Sequence, residues 1–230
     1  MPGAAGGKPV PGKGGEPYLT EFQVTVAQLF FALPESGGFL LAGGAALLAQ
    51  HLSARPTEDL DFFTAPERGD VRAACDALEA AAVERGWTTE RIHNSDTFCR
   101  LVIRAGTGDH VLVDLAVNAP PDDPAWQTAA GPTLAPEELA GHKLLALFDR
   151  AAARDFADVY VLARHFGKNA VIARAAQADA GFDTVVLADM MATLDRFADD
   201  EIPLPTGVST AELREFYSAW RSELMTQTSS

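Results

Sequence analysis

Residues 39–64, FLLAGGAALLAQHLSARPTEDLDFFT, constrain the fold more than any other part of the chain. The apolar run Phe39–Ala42 predicts a short buried strand, and the glycine pair that follows it predicts a tight turn. A helix is expected over Ala45–Leu52, and the alternation of polar and apolar residues predicts a second strand over Leu60–Phe63. This segment therefore predicts a strand, turn, helix and strand in immediate succession.

Two carboxylates stand where the second strand begins. Because side chains alternate between the faces of a strand, Asp59 and Asp61 are expected to point the same way. A third acid, Asp114, stands among apolar residues in the strand-like run VLVDLAV. Clustered carboxylates repel one another unless they are solvated, protonated or neutralised by cations, and hard oxygen ligands suit Mg²⁺ or Mn²⁺. We expect the three acids to bind one or two such ions.

The predicted ions suit an in-line phosphoryl displacement, because they neutralise both the attacking and the leaving oxygens. Asp114 would be a third ligand or the base that takes a proton from an acceptor hydroxyl. The backbone N–H groups of Gly43 and Gly44, at the start of the predicted helix, are placed for a triphosphate. The alternative makes Asp59 a surface turn residue, Asp61 a salt-bridge partner and Asp114 an edge-strand charge.

The rest of the chain divides into a strand-rich first half and a helical second half, which predicts an α+β fold. Residues 1–17 are rich in glycine and proline and are expected to be a disordered tail. The expected domains are a catalytic domain over residues 18–130 and a helical domain over residues 131–230 that completes the active site. Further elements are predicted as helices over 18–32, 70–85, 136–166, 170–178, 184–197 and 210–225, and a β-hairpin over 98–103 and 110–117.

The bulk composition narrows the function classes. The formal net charge of −14 argues against a protein that coats nucleic acid by general electrostatics, because binding to phosphates needs a basic surface. No apolar run approaches the roughly 20 residues of a membrane helix, so we expect a cytoplasmic protein without membrane contact. Cys75 and Cys99 have no metal-ligand spacing and are expected to be buried, reduced thiols.

A basic stripe is predicted in the second half of the chain. On one continuous helix over residues 141–166, Lys143, Arg150, Arg154 and Asp158 would fall along one face. Lysine as a point charge and arginine as a bidentate donor both suit phosphate oxygens. The alternative is a solvated face with a weak ion pair between Arg154 and Asp158.

These segments resemble a known family. The order of Gly43–Gly44, a helix, the run RPTEDLDF over residues 55–62, and a later strand aspartate looks like the polymerase-beta-type nucleotidyltransferase superfamily. Within it, that run, together with Lys143 and the pattern Arg154-Asp155-x-x-Asp158, resembles the AbiEii/AbiGii toxins of bacterial toxin–antitoxin and phage-defence systems, which include the MenT-type toxins. Ala45 departs from the pattern, because many members of the superfamily have a serine there.

The resemblance implies a small mixed sheet with flanking helices, followed by a C-terminal helical bundle. It also implies transfer of a nucleoside monophosphate from a nucleoside triphosphate to an acceptor hydroxyl, for MenT-type toxins the 3′ end of tRNA, and a cognate antitoxin. Lys143 would bind the phosphates, and Asp155 and Asp158 would complete the active site. Arg55 and Thr57 would steady the metal strand or touch phosphate. The alternatives are a small-molecule nucleotidyltransferase of the antibiotic-modifying type and a non-catalytic relative that binds a nucleotide or a partner.

Overall fold

The computed structural model describes residues 18–52 and 55–228. The predicted tail over residues 1–17 lies outside the described residues. The chain forms two compact units: one contains the chain up to His51 together with Pro56–Ala135, and the other contains Leu52–Arg55 and Pro136–Ser230.

The first unit is built on one mixed sheet. Its strands run in the order β3-β4-β5-β2-β1-β7-β6. Strands β2 and β5 are parallel neighbours, as are β1 and β7, and the remaining neighbours are antiparallel. The strands are β1 (Phe39–Ala42), β2 (Asp59–Thr64), β3 (Thr88–Asn94), β4 (Phe98–Arg104), β5 (His110–Val117), β6 (Trp126–Thr128) and β7 (Gly131–Thr133), and the helices are α1 (Glu21–Phe31), α2 (Gly43–Ala49) and α3 (Val71–Glu84).

Burial alternates along β2 and β4, so each strand has one face in the core. Leu60 and Phe62 are fully buried, whereas Asp61 between them is half-buried. The buried face packs on α1, where the Phe30 ring lies 4.2 Å from the Phe62 ring between centroids. Burying large aromatic side chains in this way is a major source of folding free energy.

The first half follows the predicted order of elements, with three additions. Strands β1 and β2 and the hairpin of β4 and β5 lie where the sequence predicts them. Strand β3 and the β6–β7 hairpin were not expected, because the segment around Pro120–Pro136 reads as a loop. The helix after β1 begins at Gly43, two residues earlier than expected, so both glycines lie inside its first turn.

The second unit consists of helices. They are α4 (Pro136–Asp149), α5 (Ala153–Phe166), α6 (Lys168–Ala178), α7 (Thr184–Ala192) and α8 (Thr210–Thr228), and a 3-10 turn over Thr193–Arg196 follows α7. Helix α4 packs against α5, α6 and α7, and α8 packs against α7 and α5. The apolar face of α8 is buried through Leu213, Tyr217, Trp220 and Leu224, so this face packs within its own unit.

The predicted continuous helix over residues 136–166 is wrong. The chain breaks between Asp149 and Ala153, where Ala151 adopts a φ of +44°. The carboxylate of Asp155 accepts a hydrogen bond from the backbone N–H of Ala152 at 3.0 Å and thereby caps the second helix. A local cap of this kind competes successfully with helix continuation. Lys143 and Arg150 therefore do not share one straight face with residues of α5.

The prediction of two reduced thiols is also wrong in this structure. Cys75 on α3 and Cys99 on β4 are joined by a disulfide that spans 24 residues of sequence. Both cysteines are fully buried, so the expectation of burial is met while the expectation of free thiols is not. The bond ties α3 to the sheet. With a mixed sheet flanked by helices and a helical C-terminal half, the predicted fold class is confirmed.

Candidate active site

Charged residues from three neighbouring strands form one row across the sheet. Asp61 on β2 pairs in register with Asp114 on β5, and Asp114 pairs with Arg100 on β4. Ala42 of β1 completes the row on the other side of Asp61. Because residues in register on adjacent strands point to the same face, these side chains are near neighbours. Strand β5 lies in the sheet interior, so Asp114 is not an edge-strand charge.

Asp59 is the first residue of β2, and its side chain is held by Thr57 in the preceding loop. The hydroxyl of Thr57 donates a hydrogen bond to Oδ1 of Asp59. The backbone carbonyl of Thr57 in turn accepts a hydrogen bond from Nε2 of Gln23 on α1 at 2.8 Å. Gln23 is buried and also closes the capping box of its helix with Thr20. The predicted role of Thr57 in steadying the acidic strand thus has a physical basis.

Gly43 lies directly against Asp61. Its φ is +62°, a conformation that favours glycine. A Cβ added at this position would overlap the Oδ2 atom of Asp61. The backbone at the start of α2 therefore lies so close to the carboxylate that no side chain fits between them. Ala45, which stands where many relatives have serine, is fully buried.

Asp114 is engaged in a bidentate ion pair. Nε of Arg100 donates to Oδ1 at 2.8 Å and Nη2 donates to Oδ2 at 2.6 Å. The carboxylate is 10% exposed and the arginine side chain 41%. Across residues 18–52 and 55–228, no three histidine, cysteine, aspartate or glutamate side chains converge closely enough to hold a metal ion together. In this arrangement the predicted third ligand, Asp114, is engaged by Arg100, and its role as a metal ligand stays a prediction.

The donor set nevertheless fits a divalent cation at two of the three acids. Asp59 and Asp61 share a face, both are half-buried, and their oxygens are hard ligands. The pKa of the Arg100 guanidinium is raised by its hydrogen bonds to Asp114, against the opposing effect of burial, and Asp61 and Asp59 add to the increase. The negative field of all three acids thus reaches Arg100.

A second charged cluster lies inside the helical unit. Arg55 donates from Nε and Nη2 to the two oxygens of Asp158, both at 2.7 Å. Nζ of Lys143 lies 3.0 Å from Oδ2 of the same carboxylate. The Asp158 side chain is 1% exposed and each cation 11%. Two cations share one buried anion, so the cluster carries a formal charge of +1.

The ionisation of Asp158 follows from this arrangement. Burial acts to raise its pKa, but Lys143 and Arg55 outweigh burial, and the pKa is lowered from the ordinary carboxyl value. The hydroxyl of Tyr217 on α8 donates to the backbone carbonyl of Phe156 at 2.7 Å. Burial, together with the charges of Asp158 and Asp155, raises the pKa of Tyr217 well above its usual range.

The remaining predicted residues of the stripe make other contacts. Arg150 makes a bidentate contact with Asp155 at 2.9 Å through both pairs of atoms. Asp155 is fully buried and caps its own helix, so its two oxygens serve structural partners. Arg154 is exposed. The structure therefore brings together Arg55, Lys143 and Asp158, and it joins Arg150 to Asp155.

A mixed sheet that carries paired aspartates beside a strand, a glycine turn and a helix is the arrangement that the sequence predicted for a nucleotidyltransferase. The model of the AbiEii family, described as nucleotidyl transferase AbiEii toxin of type IV toxin–antitoxin systems, matches residues 27–228. The chain belongs to this family. The resemblance stated from the sequence is thereby confirmed.

Two similar solved structures, both from Helicobacter pylori, share the fold. JHP933 from Helicobacter pylori is 18% identical with a TM-score of 0.53, over 91% of this chain and 96% of that protein. A second Helicobacter pylori protein, described as a nucleotidyltransferase, is 19% identical with a TM-score of 0.56, over 91% and 99% of the two chains. MenT4, a nucleotidyltransferase toxin from Mycobacterium tuberculosis, is 13% identical with a TM-score of 0.49, over 89% and 82%.

Two further results complete the comparison. No curated protein sequence matches the chain significantly. Over the part of the chain that the structure describes, none of the helices is both long and apolar enough to span a membrane.

Sequence reasoning missed two residues of the first unit. Arg100 lies in the run FCRLVIR, where an arginine on the half-exposed face of a strand is unremarkable without knowledge of the neighbouring strand. Its position opposite Asp114 in the predicted hairpin is the signal that could have identified it. Gln23 lies in the first turn of a helix, and its capping position gives no hint of its contact with the loop before β2.

Proposed function

We propose that this chain moves a nucleoside monophosphate from a nucleoside triphosphate to the 3′ end of a tRNA in the cytoplasm. Membership of the family makes it a toxin nucleotidyltransferase of a toxin–antitoxin system, and the acceptor and the metal dependence are the proposal. The observation that carries it is the position of Asp59 and Asp61 on one face of β2, with the backbone of Gly43 against Asp61.

The acidic side of the site is assigned to three residues. Asp59 and Asp61 would hold Mg²⁺ or Mn²⁺, and Thr57 keeps Asp59 oriented through its hydroxyl. A divalent ion bound there would neutralise charge on the phosphate oxygens. Asp114 is proposed as a third ligand or as the base. Both roles require lone pairs that the N–H groups of Arg100 do not occupy.

The cationic residues are assigned to the triphosphate. Lys143 and Arg55 both contact Asp158, and ammonium and guanidinium groups are the side chains that suit phosphate oxygens. Asp158 is a positioning residue, because it fixes both cations. We expect Arg150 and Arg154 to add phosphate contacts on the acceptor or the nucleotide. The backbone N–H groups of Gly43 and Gly44 are further candidates.

Asp155 takes a different role in this scheme. Its fully buried carboxylate binds Arg150 and the start of α5. We therefore propose that Asp155 stabilises the N-terminus of α5, the helix that carries Asp158, and makes no contact with substrate.

The proposed reaction is a displacement at the α-phosphorus. The acceptor hydroxyl oxygen forms the new bond to phosphorus, the α–β phosphoanhydride bond breaks, and pyrophosphate leaves. The proton of the hydroxyl passes to a base, for which Asp114 is the candidate. Catalysis would come mainly from positioning the two substrates and from neutralising the charge of the phosphates, because the protein forms no covalent bond in a direct phosphoryl transfer.

Incubation of the full chain with total tRNA, Mg²⁺ and each labelled nucleoside triphosphate in turn tests the proposal. Label is expected on tRNA with at least one nucleotide, and chelation of the metal should abolish it. Asp61→Asn should lower transfer by at least about a hundredfold, on the scale of losing an electrostatic contact to the transition state. Asp96→Asn is the matched control, because Asp96 is 85% exposed and pairs only at the surface with Arg72.

The outcomes separate the proposal from its alternatives. In a parallel incubation with an aminoglycoside-like polyol, label on the polyol and none on tRNA would show that the acceptor is a small molecule. Growth inhibition that survives Asp61→Asn would contradict an enzymatic toxin. Equal loss in Asp61→Asn and in the Asp96 control would show that the effect is not specific to the acidic strand.

A further inference from the structure

The Arg100–Asp114 pair occupies a position where a metal ligand was expected. Asp114 lies in register with Asp61, yet both of its oxygens accept N–H groups from Arg100 at 2.8 and 2.6 Å. A bidentate contact fixes the plane of the carboxylate as well as its distance. The orientation of Asp114 is thus set by Arg100 and is independent of any ion at Asp59 and Asp61.

The charge balance of the row gives Arg100 a second effect. Asp59, Asp61 and Asp114 together carry −3 when ionised, and Arg100 reduces the sum to −2. One divalent cation would neutralise that remainder, whereas without Arg100 the acids would attract a cation more strongly. The guanidinium also lies 5.5 Å from the ring centroid of Phe98, and this contact holds it beside the acids.

We propose that Arg100 is a positioning residue that competes with the divalent cation for Asp114 and so restricts the resting site to the carboxylates of Asp59 and Asp61. This inference rests on the proposed function, because it takes those two acids as metal ligands. Replacing the guanidinium group of Arg100 by a neutral side chain removes the competing positive charge and frees both oxygens of Asp114 from its hydrogen bonds. The variant therefore binds the cation more tightly than the wild type.

Calorimetric titration of the full chain with Mn²⁺ alone tests this competition. Arg100→Gln is expected to raise the affinity for Mn²⁺ about twofold to fivefold, the scale of a partly exposed charge contact. The double variant Arg100→Gln/Asp114→Asn should lose that gain, because the released carboxylate is gone. Arg100→Lys keeps the charge without the bidentate fork and should lie between wild type and Arg100→Gln.

The control lies on the same face of the same strand. Arg104→Gln removes an arginine that pairs with Glu90, with side chains 47% and 60% exposed, and should leave the Mn²⁺ affinity unchanged. A thermal melt of each variant, measured without metal, shows that it is folded.

Three results would overturn the inference. They are an unchanged or weaker affinity in Arg100→Gln, a gain that persists in the double variant, and an equal gain in the Arg104 control. The measurement needs no nucleotide or acceptor, so it is independent of the transfer assay. Binding of Mn²⁺ that depends on Arg100, with no label on any acceptor, would support the inference and contradict the proposed function.

Discussion

Replacing the buried carboxylate of Asp158 should destabilise the protein far more than replacing either cation beside it. The cluster has two positive charges and one negative charge, with a net of +1. Asp158→Asn removes the anion and leaves +2 among side chains that are 11% exposed or less. Lys143→Met removes one cation, keeps the apolar stem, and leaves a neutral bidentate pair between Arg55 and Asp158.

The burial of the cluster sets the magnitude. Removing one partner of a buried ion pair typically costs about 3–5 kcal/mol, because the remaining charge stays desolvated. The Asp158 side chain is 1% exposed, so we expect Asp158→Asn to lose that amount. Lys143→Met conserves volume and leaves no surplus charge, and we expect a loss of about 1 kcal/mol or less. At roughly 2–4 °C per kcal/mol for a chain of this size, the melting temperatures should fall by ~6–20 °C and by no more than ~4 °C.

Thermal unfolding followed by circular dichroism at pH 7 checks this difference, and urea titration gives the free energies of unfolding. Asp195→Asn is the surface control, because this acid is 83% exposed where it pairs with Arg214 and such pairs contribute little. If Asp158→Asn melts within 2 °C of the wild type, or if Lys143→Met falls as far as Asp158→Asn, the charge argument is refuted.

Three further predictions concern pH and glycine. The pKa of Asp158 is lowered from 3.8, so the stability that its ionised form gives the folded protein is fully present above that value and is lost as the pH falls below it. Urea midpoints measured from pH 6 to 3 should therefore show a smaller acid-induced loss of stability in Lys143→Met than in the wild type. Gly43→Ala should lower the free energy of unfolding in urea by about 1–3 kcal/mol more than Gly86→Ala does. Both glycines have a positive φ, but an added Cβ meets nothing within 4 Å at Gly86. Equal losses would contradict the close approach of Gly43 to Asp61. Gly141→Ala should cost about 1–3 kcal/mol because its Cβ would lie 2.9 Å from backbone of α6, and an unchanged melting temperature would show that the helices can separate freely.

Local periodicity predicted much of the first unit. The alternation around Asp59 and Asp61 identified β2, and the glycine pair located the turn into α2, because these signals arise within a few residues. The same pattern placed Asp114 on a strand. Its partner Arg100 was not predicted, since strand register is decided by tertiary packing and not by the residues of one strand.

The missed features share a non-local or competing cause. Strand β3 is mostly exposed and irregular at Arg91 and His93, so it lacks the alternation that reveals a half-buried strand. The break before α5 depends on the cap made by Asp155, which the helical spacing of apolar residues conceals. Arg55 was predicted to steady the acidic strand or to touch phosphate, because it is close to that strand in sequence. In the structure it belongs to the helical unit, where Asp158 binds it.

The placement of Arg55 has a consequence for synthesis and inheritance. Its carboxylate partner, Asp158, follows 103 residues later in the sequence. The ion pair can therefore form only after most of the chain has been synthesised. A nascent or truncated chain that ends before α5 has the acidic strand but lacks the anion that fixes two of the proposed phosphate-binding cations. An exchange of the helical half between relatives must likewise keep a compatible residue at position 55, because Arg55 and Asp158 form one buried ion pair.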